Sequence, residues 1–133
     1  MCLRLVFGDM AQSTLYRGRW GESVAVRHLR SKGLLIVQRN WRCGHLEIDI
    51  VANDGGTVVF VEVKTRSLPS LCGGYGAASS NSKRRAMRRA VGAYVEQFCG
   101  EIPHWRYDVV EIFSPPRRYV AEQIFHFERV PLG

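Results

Sequence analysis

The stretch LEIDIVANDGGTVVFVEVKTR, residues 46–66, decides the fold. Two runs of alternating apolar and polar residues flank Asn53-Asp54-Gly55-Gly56, residue types that tolerate the positive φ angles of a tight hairpin turn. With Asp54-Gly55 at the centre of the turn, Ala52 pairs with Thr57, Ile50 with Val59, Ile48 with Val61 and Leu46 with Val63. These side chains share one face, and all but the Ala52–Thr57 pair are large and apolar, so it is the core face. The same register sets Asp49 opposite Phe60, Glu47 opposite Glu62 and His45 opposite Lys64. Glu47, Asp49, Glu62 and Lys64 then lie together on the other face, with Asp49 diagonal to Glu62 and within reach of a common ligand.

Such a gathering of charge has a cost. Like charges directly opposite one another on a sheet destabilise it by up to about 1 kcal/mol, and clustered carboxylates raise each other's pKa. A divalent cation such as Mg²⁺ or Mn²⁺ would relieve both effects, since hard cations prefer carboxylate oxygens. Lys64 beside them could orient a water or stabilise charge on a phosphate in a transition state. The plain alternative is the wet face of an antiparallel sheet, which also alternates in this way, and an isolated E-x-K matches by chance. Against it stand a second acidic strand in register and two large apolar residues, Val51 and Phe60, on the same face.

Working outward, Trp20, Val24, Ala25 and Leu29 recur at helical spacing within Gly18 to Lys32, and Gly33 is a natural stop. Residues 1–17 carry no clear period and read as a loosely ordered leader, which leaves 18–133 as a single domain. Leu34–Trp41, His45–Ala52 and Thr57–Arg66 read as strands. Ser67–Ser82, rich in Gly, Ser and Ala, reads as a mobile loop. A second helix from Lys83 to Phe98 has the apolar stripe Met87, Val91, Tyr94, Val95 and Phe98. Trp105–Phe113 and Tyr119–Phe127 read as strands about a turn at Pro115-Pro116. The order α-β-β-β-α-β-β is that of an α/β fold with a central mixed sheet flanked by two helices.

The 133 residues suit one domain, and 46% hydrophobic content is enough for a core. Lys and Arg total 19 against 12 Asp and Glu, a net charge of +7 that favours an anionic partner, with nucleic acid first. Cys2, Cys43, Cys72 and Cys99 form no C-x-x-C pair, which argues against a zinc knuckle or a disulfide scaffold and for free thiols in a reducing compartment. The apolar run Leu3–Phe7 is too short and too polar for a signal peptide or a membrane span, so a soluble cytoplasmic protein with no membrane partner is expected.

The second helix opens with Lys83, Arg84 and Arg85, followed by Arg88 and Arg89. Cations in a first turn oppose the helix macrodipole. They form either a solvated face or a surface for backbone phosphates, which would bind DNA without sequence choice. His28, His45, His104 and His126 make no metal-ligand spacing and read as structural or exposed. Trp20, Trp41 and Trp105 read as core or base-stacking residues. No phosphate-cradling loop, dinucleotide fingerprint or Ser-His-Asp phrase is visible.

The phrases Gly18-Arg19-Trp20-Gly21-Glu22, Leu-Glu-Ile-Asp at 46–49, Val59-Phe60-Val61-Glu62-Val63-Lys64-Thr65-Arg66 and Arg106-Tyr107-Asp108-Val109-Val110, in this order, resemble the YraN family of bacterial proteins. That family is similar to the restriction-endonuclease-like PD-(D/E)XK nuclease superfamily, and within it to Holliday-junction resolvases. The resemblance implies a restriction-endonuclease-like core. It also implies a metal-binding role for Asp49, the role of second metal ligand for Glu62, and that of catalytic lysine for Lys64. Glu22 matches the extra glutamate of the resolvase-like branch, and Glu47 belongs to the family's G-E-I-D phrase. Leu46 stands where that phrase carries glycine; on the core face, it leaves the site face intact.

The implied function is metal-dependent endonuclease-like hydrolysis of phosphodiesters in DNA, of branched or single-stranded form, with Mg²⁺ or Mn²⁺ as cofactor. Its rival is a non-catalytic nucleic-acid-binding or DNA-processing interaction protein that keeps a nuclease-like fold. Metal-dependent cleavage of DNA would separate the two.

Overall fold

The computed structural model describes residues 2–67, 80–98, 101–102, 104–116 and 118–132, with side chains from residue 16 onward. Helix α1 spans Cys2–Ser31, strands β1 Leu35–Cys43, β2 Leu46–Asp54 and β3 Thr57–Arg66, helix α2 Asn81–Gln97, and strands β4 Trp105–Phe113 and β5 Gln123–Phe127. The expected order α-β-β-β-α-β-β is the one observed. Helix α1 begins at Cys2, so helical geometry runs through the stretch read as a leader. Most of the Ser67–Ser82 loop lies outside the described residues.

The five strands form one sheet in chain order. Strands β3 and β4 are parallel, with α2 as their crossover, and the other neighbours are antiparallel. The sheet is therefore mixed, as the element order predicts. Gly33, at φ +89°, ends α1 where a side chain would be strained. Among the described residues, no helix is long and apolar enough to cross a membrane.

The hairpin register differs from the sequence reading. Gly55 and Gly56, at φ 57° and 100°, form the turn, and Asn53 Oδ1 accepts a hydrogen bond from Gly56 N at 2.8 Å. Asp54 pairs with Thr57 and Ile50 with Val61, not with Val59. Two adjacent residues with positive φ make a two-residue turn whose twist matches the strands. The shift is by two positions, so Ile50, Ala52, Val59 and Val61 keep their common face and only their partners change.

The sheet is also buried on both faces. Ile50, Ala52, Val59, Val61, Val110 and Ile112 pack with Ala25, Val26 and Leu29 of α1. Val51, Phe60, Tyr107 and Val109 pack with Met87, Ala90, Val91 and Tyr94 of α2. The face that carries the acidic residues is thus a second core. A helix covers each side of β3, as a parallel pair in a sheet requires.

Candidate active-site cleft

The site forms where β2 and β3 part. Their ladder ends at Ile50–Val61. Beyond it, Val63 N donates to Asp49 Oδ2 at 2.9 Å, so a carboxylate replaces the backbone acceptor. Across from Asp49, between the pairs Arg39–Ile50 and Trp41–Ile48, Asn40 has φ 52°. Asn is among the residues that tolerate this left-handed region best. Ile50 packs on the α1 side and Ile48 on the α2 side, so strict alternation breaks at Asp49. Leu46, expected on the same core face as Ile50, follows Ile48 to the α2 side and lines the cleft.

The cleft holds ≈ 540 Å³ and is lined by Glu22 from α1, Glu47 and Asp49 from β2, Glu62 and Lys64 from β3, and Lys83 from α2. Glu22 arrives through its neighbour. Gly21 is buried against β3, and a Cβ there would sit 2.1 Å from Thr65 Oγ1. The helix approaches the strand at a distance that only glycine permits, and the next residue then faces the cleft.

Glu62 is the most enclosed of the carboxylates, 7% exposed. The Tyr107 phenol donates to its Oε2. Its Oε1 lies 3.1 Å from Lys64 Nζ and 3.6 Å from Lys83 Nζ. Burial pushes the Asp49 carboxyl up to about 6; the Val63 amide opposes the shift, and Glu22, Glu47 and Glu62 add to it. Burial and the contact with Lys83 push the Lys64 ammonium down, against the pull of Glu62. Lys83 moves up, through its hydrogen bond to Lys64 and the charges of Glu62 and Asp49.

The structure brings Glu22, Asp49, Glu62 and Lys64 to one cleft. Glu47 stands on its wall, opposite Arg42 rather than Glu62, and pairs with Arg42 at 3.8 Å. Of the five cations on α2, Lys83 belongs to the cleft. Arg85 and Arg89 are exposed, while Arg88 donates to the Leu132 carbonyl. Nothing local to Tyr107 marks it as a site residue; paired with Phe60 and next to Glu62, it becomes a partner only because β3 and β4 run parallel. Trp41 is core, and Trp105, 44% exposed, sets its ring edge to face against Phe60. Cys43 is an exposed free thiol.

The cleft offers mainly carboxylate oxygens, from Glu22, Glu47, Asp49 and Glu62, with His45 also on its lining. That chemistry fits a hard divalent cation. Glu22, Asp49 and Glu62 are the residues that would hold it.

A second cluster escaped the sequence reading. Asp108, His126 and Glu128 bring their ligand atoms within 4.8 Å of one another and could hold a metal ion. Asp108 is buried and receives Arg106 Nε at 3.1 Å, His126 Nε2 at 2.8 Å and Arg129 N at 3.1 Å. Burial pushes its carboxyl up, but these bonds prevail and hold it below the usual range. His126 Nδ1 meets His28 Nε2 at 3.3 Å and Lys32 Nζ at 3.1 Å. Arg106 and Lys32 already neutralise these acceptors, so a metal ion here would have to displace them. His28 and His126, expected to be structural or exposed, meet because β5 returns beside β4 and reaches α1.

Comparison with known proteins agrees with the sequence phrases. Residues 21–112 match the model of the uncharacterised protein family UPF0102. A UPF0102 protein of Mycolicibacterium vanbaalenii is 42% identical over 116 residues, covering 85% of this chain and 91% of that protein. One from Beutenbergia cavernae is 45% identical over 114 residues, covering 85% of this chain and 93% of that protein. The matched span runs from Gly21 at the α1–β3 contact to Ile112 in β4 and includes the cleft residues, and the chain belongs to the UPF0102 (YraN) family.

Proposed function

We propose that the chain is a Mg²⁺- or Mn²⁺-dependent nuclease that hydrolyses phosphodiesters in DNA. The observation that carries the reading is the cleft itself: three carboxylates from α1, β2 and β3 line it together with Lys64 and Lys83, in a chain of net charge +7. Groups with displaced pKa values gathered in a cleft beside a specific charge partner are a physical mark of a functional site.

A bound divalent cation would supply Lewis-acid polarisation of a phosphoryl oxygen and a more acidic water. The chain's residues do the rest. Asp49 is fixed by the Val63 amide, and Glu62 by the Tyr107 phenol. Lys64, a partly buried ammonium beside Glu62, can hold an attacking water by donating to it and stabilise the charge that develops on the phosphate. Arg85 and Arg89, exposed on α2 outside the cleft, offer further cations to DNA backbone phosphates.

The test is a cleavage assay on linear, flapped and four-way DNA with Mg²⁺, Mn²⁺ or EDTA. Cleavage that needs the metal and disappears in Asp49→Ala and Glu62→Ala supports the reading. DNA binding without cleavage of any form, in either metal, would favour a non-catalytic DNA-processing protein.

A further inference from the structure

We propose that Lys83 is an exchangeable counter-cation: it neutralises Glu62 while the cleft is metal-free, and transfers to a substrate phosphate when a divalent cation loads. The inference rests on the nuclease reading of the cleft but concerns a residue to which that reading gives no separate role.

Three observations carry it. First, both carboxylate oxygens of Glu62 have partners. Its Oε2 is held by Tyr107, and its Oε1 is shared by two ammonium groups, Lys64 at 3.1 Å and Lys83 at 3.6 Å. A cation loading on Oε1 competes with both ammonium groups for the same oxygen, and their charge repels it. Second, the two lysines differ in freedom. The Lys64 side chain is 22% exposed and hangs from β3, two positions from Glu62. The Lys83 side chain is 55% exposed, makes the longer contact, and comes from the opposite wall. Lys83 is the one with a path out.

Third, Lys83 sits where a cation is otherwise misplaced. Helix α2 has no acidic residue in its first turn, and its N-cap Ser80 accepts a hydrogen bond from Lys83 N at 3.4 Å. The N-terminal amides of a helix favour anions and disfavour an ammonium. Glu62 supplies the compensating charge in the metal-free state. Once Glu62 is claimed by a metal ion, the lysine and the helix terminus both lack an anion, and a DNA phosphate provides one. Metal loading and DNA binding are then positively coupled, each assisting the other by the same factor.

Calorimetric titration of Mn²⁺ into wild type, Lys83→Met and Lys83→Arg, each with and without a catalytically inert phosphorothioate duplex, tests this. Without DNA, Lys83→Met should bind Mn²⁺ more tightly than wild type, on the order of tenfold, because a positive charge close to the site is gone. With DNA, wild type should gain Mn²⁺ affinity, Lys83→Met should gain little, and Lys83→Arg should behave like wild type. Equal or weaker Mn²⁺ binding by Lys83→Met overturns the inference, as does an undiminished DNA effect in that variant. Tighter binding by Lys83→Met in a protein that cuts no DNA supports the exchange and overturns only the nuclease reading. Efficient cleavage with unchanged Mn²⁺ affinity in Lys83→Met does the reverse.

Discussion

Asp49 accepts a hydrogen bond from the backbone amide of Val63, 2.9 Å away on the neighbouring strand, just past the last regular pair of the β2–β3 ladder. The carboxylate thereby closes the splayed end of the hairpin and is held with three other carboxylates in electrostatic reach. One amide does not offset burial and three like charges, and the group is pushed up to about 6.

Stability should therefore depend on pH in an unusual direction. With its pKa raised from 3.8 to about 6, Asp49 binds more protons in the folded state than in the unfolded one between those values. Its contribution to stability is present below pH 4 and is lost as pH rises through 6. In EDTA, Asp49→Asn should be more stable than wild type at pH 7.5, by up to about 3 kcal/mol, and nearly equal to it at pH 4. Denaturant melts at both pH values measure this; an Asn variant that is less stable at pH 7.5 contradicts the burial of a strained charge. Saturating Mn²⁺ should reverse the order at pH 7.5, because only the wild-type carboxylate gains from it.

The Asp108 network should behave in the opposite sense. Its carboxyl is held below the usual range, so its contribution is full above pH 4 and is lost as pH falls further. Asp108→Asn leaves the buried Arg106 guanidinium with weaker partners, and about 3–5 kcal/mol of stability should go with it. Thermal melts at pH 7 check the loss. A drop below 1 kcal/mol would mean that Asp54 and Glu128, which also pair with Arg106, carry the charge instead.

Much of this was legible in the sequence because local pattern decides it. Trp105–Phe113 and Thr57–Arg66 are strands by composition and by their punctuation, and the predicted bounds are the observed ones. Alternation placed Glu62 and Lys64 on one face, and a shift of two positions could not undo that. The register itself depended on which of four turn residues took positive φ, a choice that Asn53 settles by bonding Gly56 N. What could not be read was tertiary. Lys83 looked like one of five surface cations because nothing local says that α2 starts opposite Glu62. His28 and His126 meet only because β5 folds back against α1. The break at Asn40 and Asp49 needs two strands to be seen together.

The contact between Gly21 and Thr65 makes a structural prediction. Gly21→Ala sets a methyl 2.1 Å from Thr65 Oγ1, and relief requires a new rotamer or a shift of α1. The loss should be about 1–3 kcal/mol, as for other overpacked sites. Thr65→Ala removes the clashing atom, so the double variant should recover most of that loss in a double-mutant cycle. Additive losses would mean that the methyl meets something other than Thr65. Because Glu22 follows Gly21, the single variant should also weaken Mn²⁺ binding, and the double variant should restore it.

Lys64 gives the sharpest separation of chemistry from binding. A protonated ammonium has no lone pair for a metal, so Lys64 is not required as a ligand. Its position beside Glu62, in a cleft rich in carboxylates, also makes it a poor anchor for DNA compared with exposed Arg85 and Arg89. What remains is the chemical step, where a water must be placed and charge develops on phosphate. Lys64→Met should keep DNA affinity close to wild type while single-turnover cleavage falls on the order of a hundredfold or more, as for other preorganised electrostatic groups. The protein should stay folded, since Lys83 still neutralises Glu62 at 3.6 Å. Single-turnover cleavage of a labelled four-way junction, with DNA affinity measured in parallel in Ca²⁺, gives both quantities. Equal cleavage by wild type and Lys64→Met would remove Lys64 from the mechanism. A parallel loss of affinity and rate would instead reassign it to substrate binding.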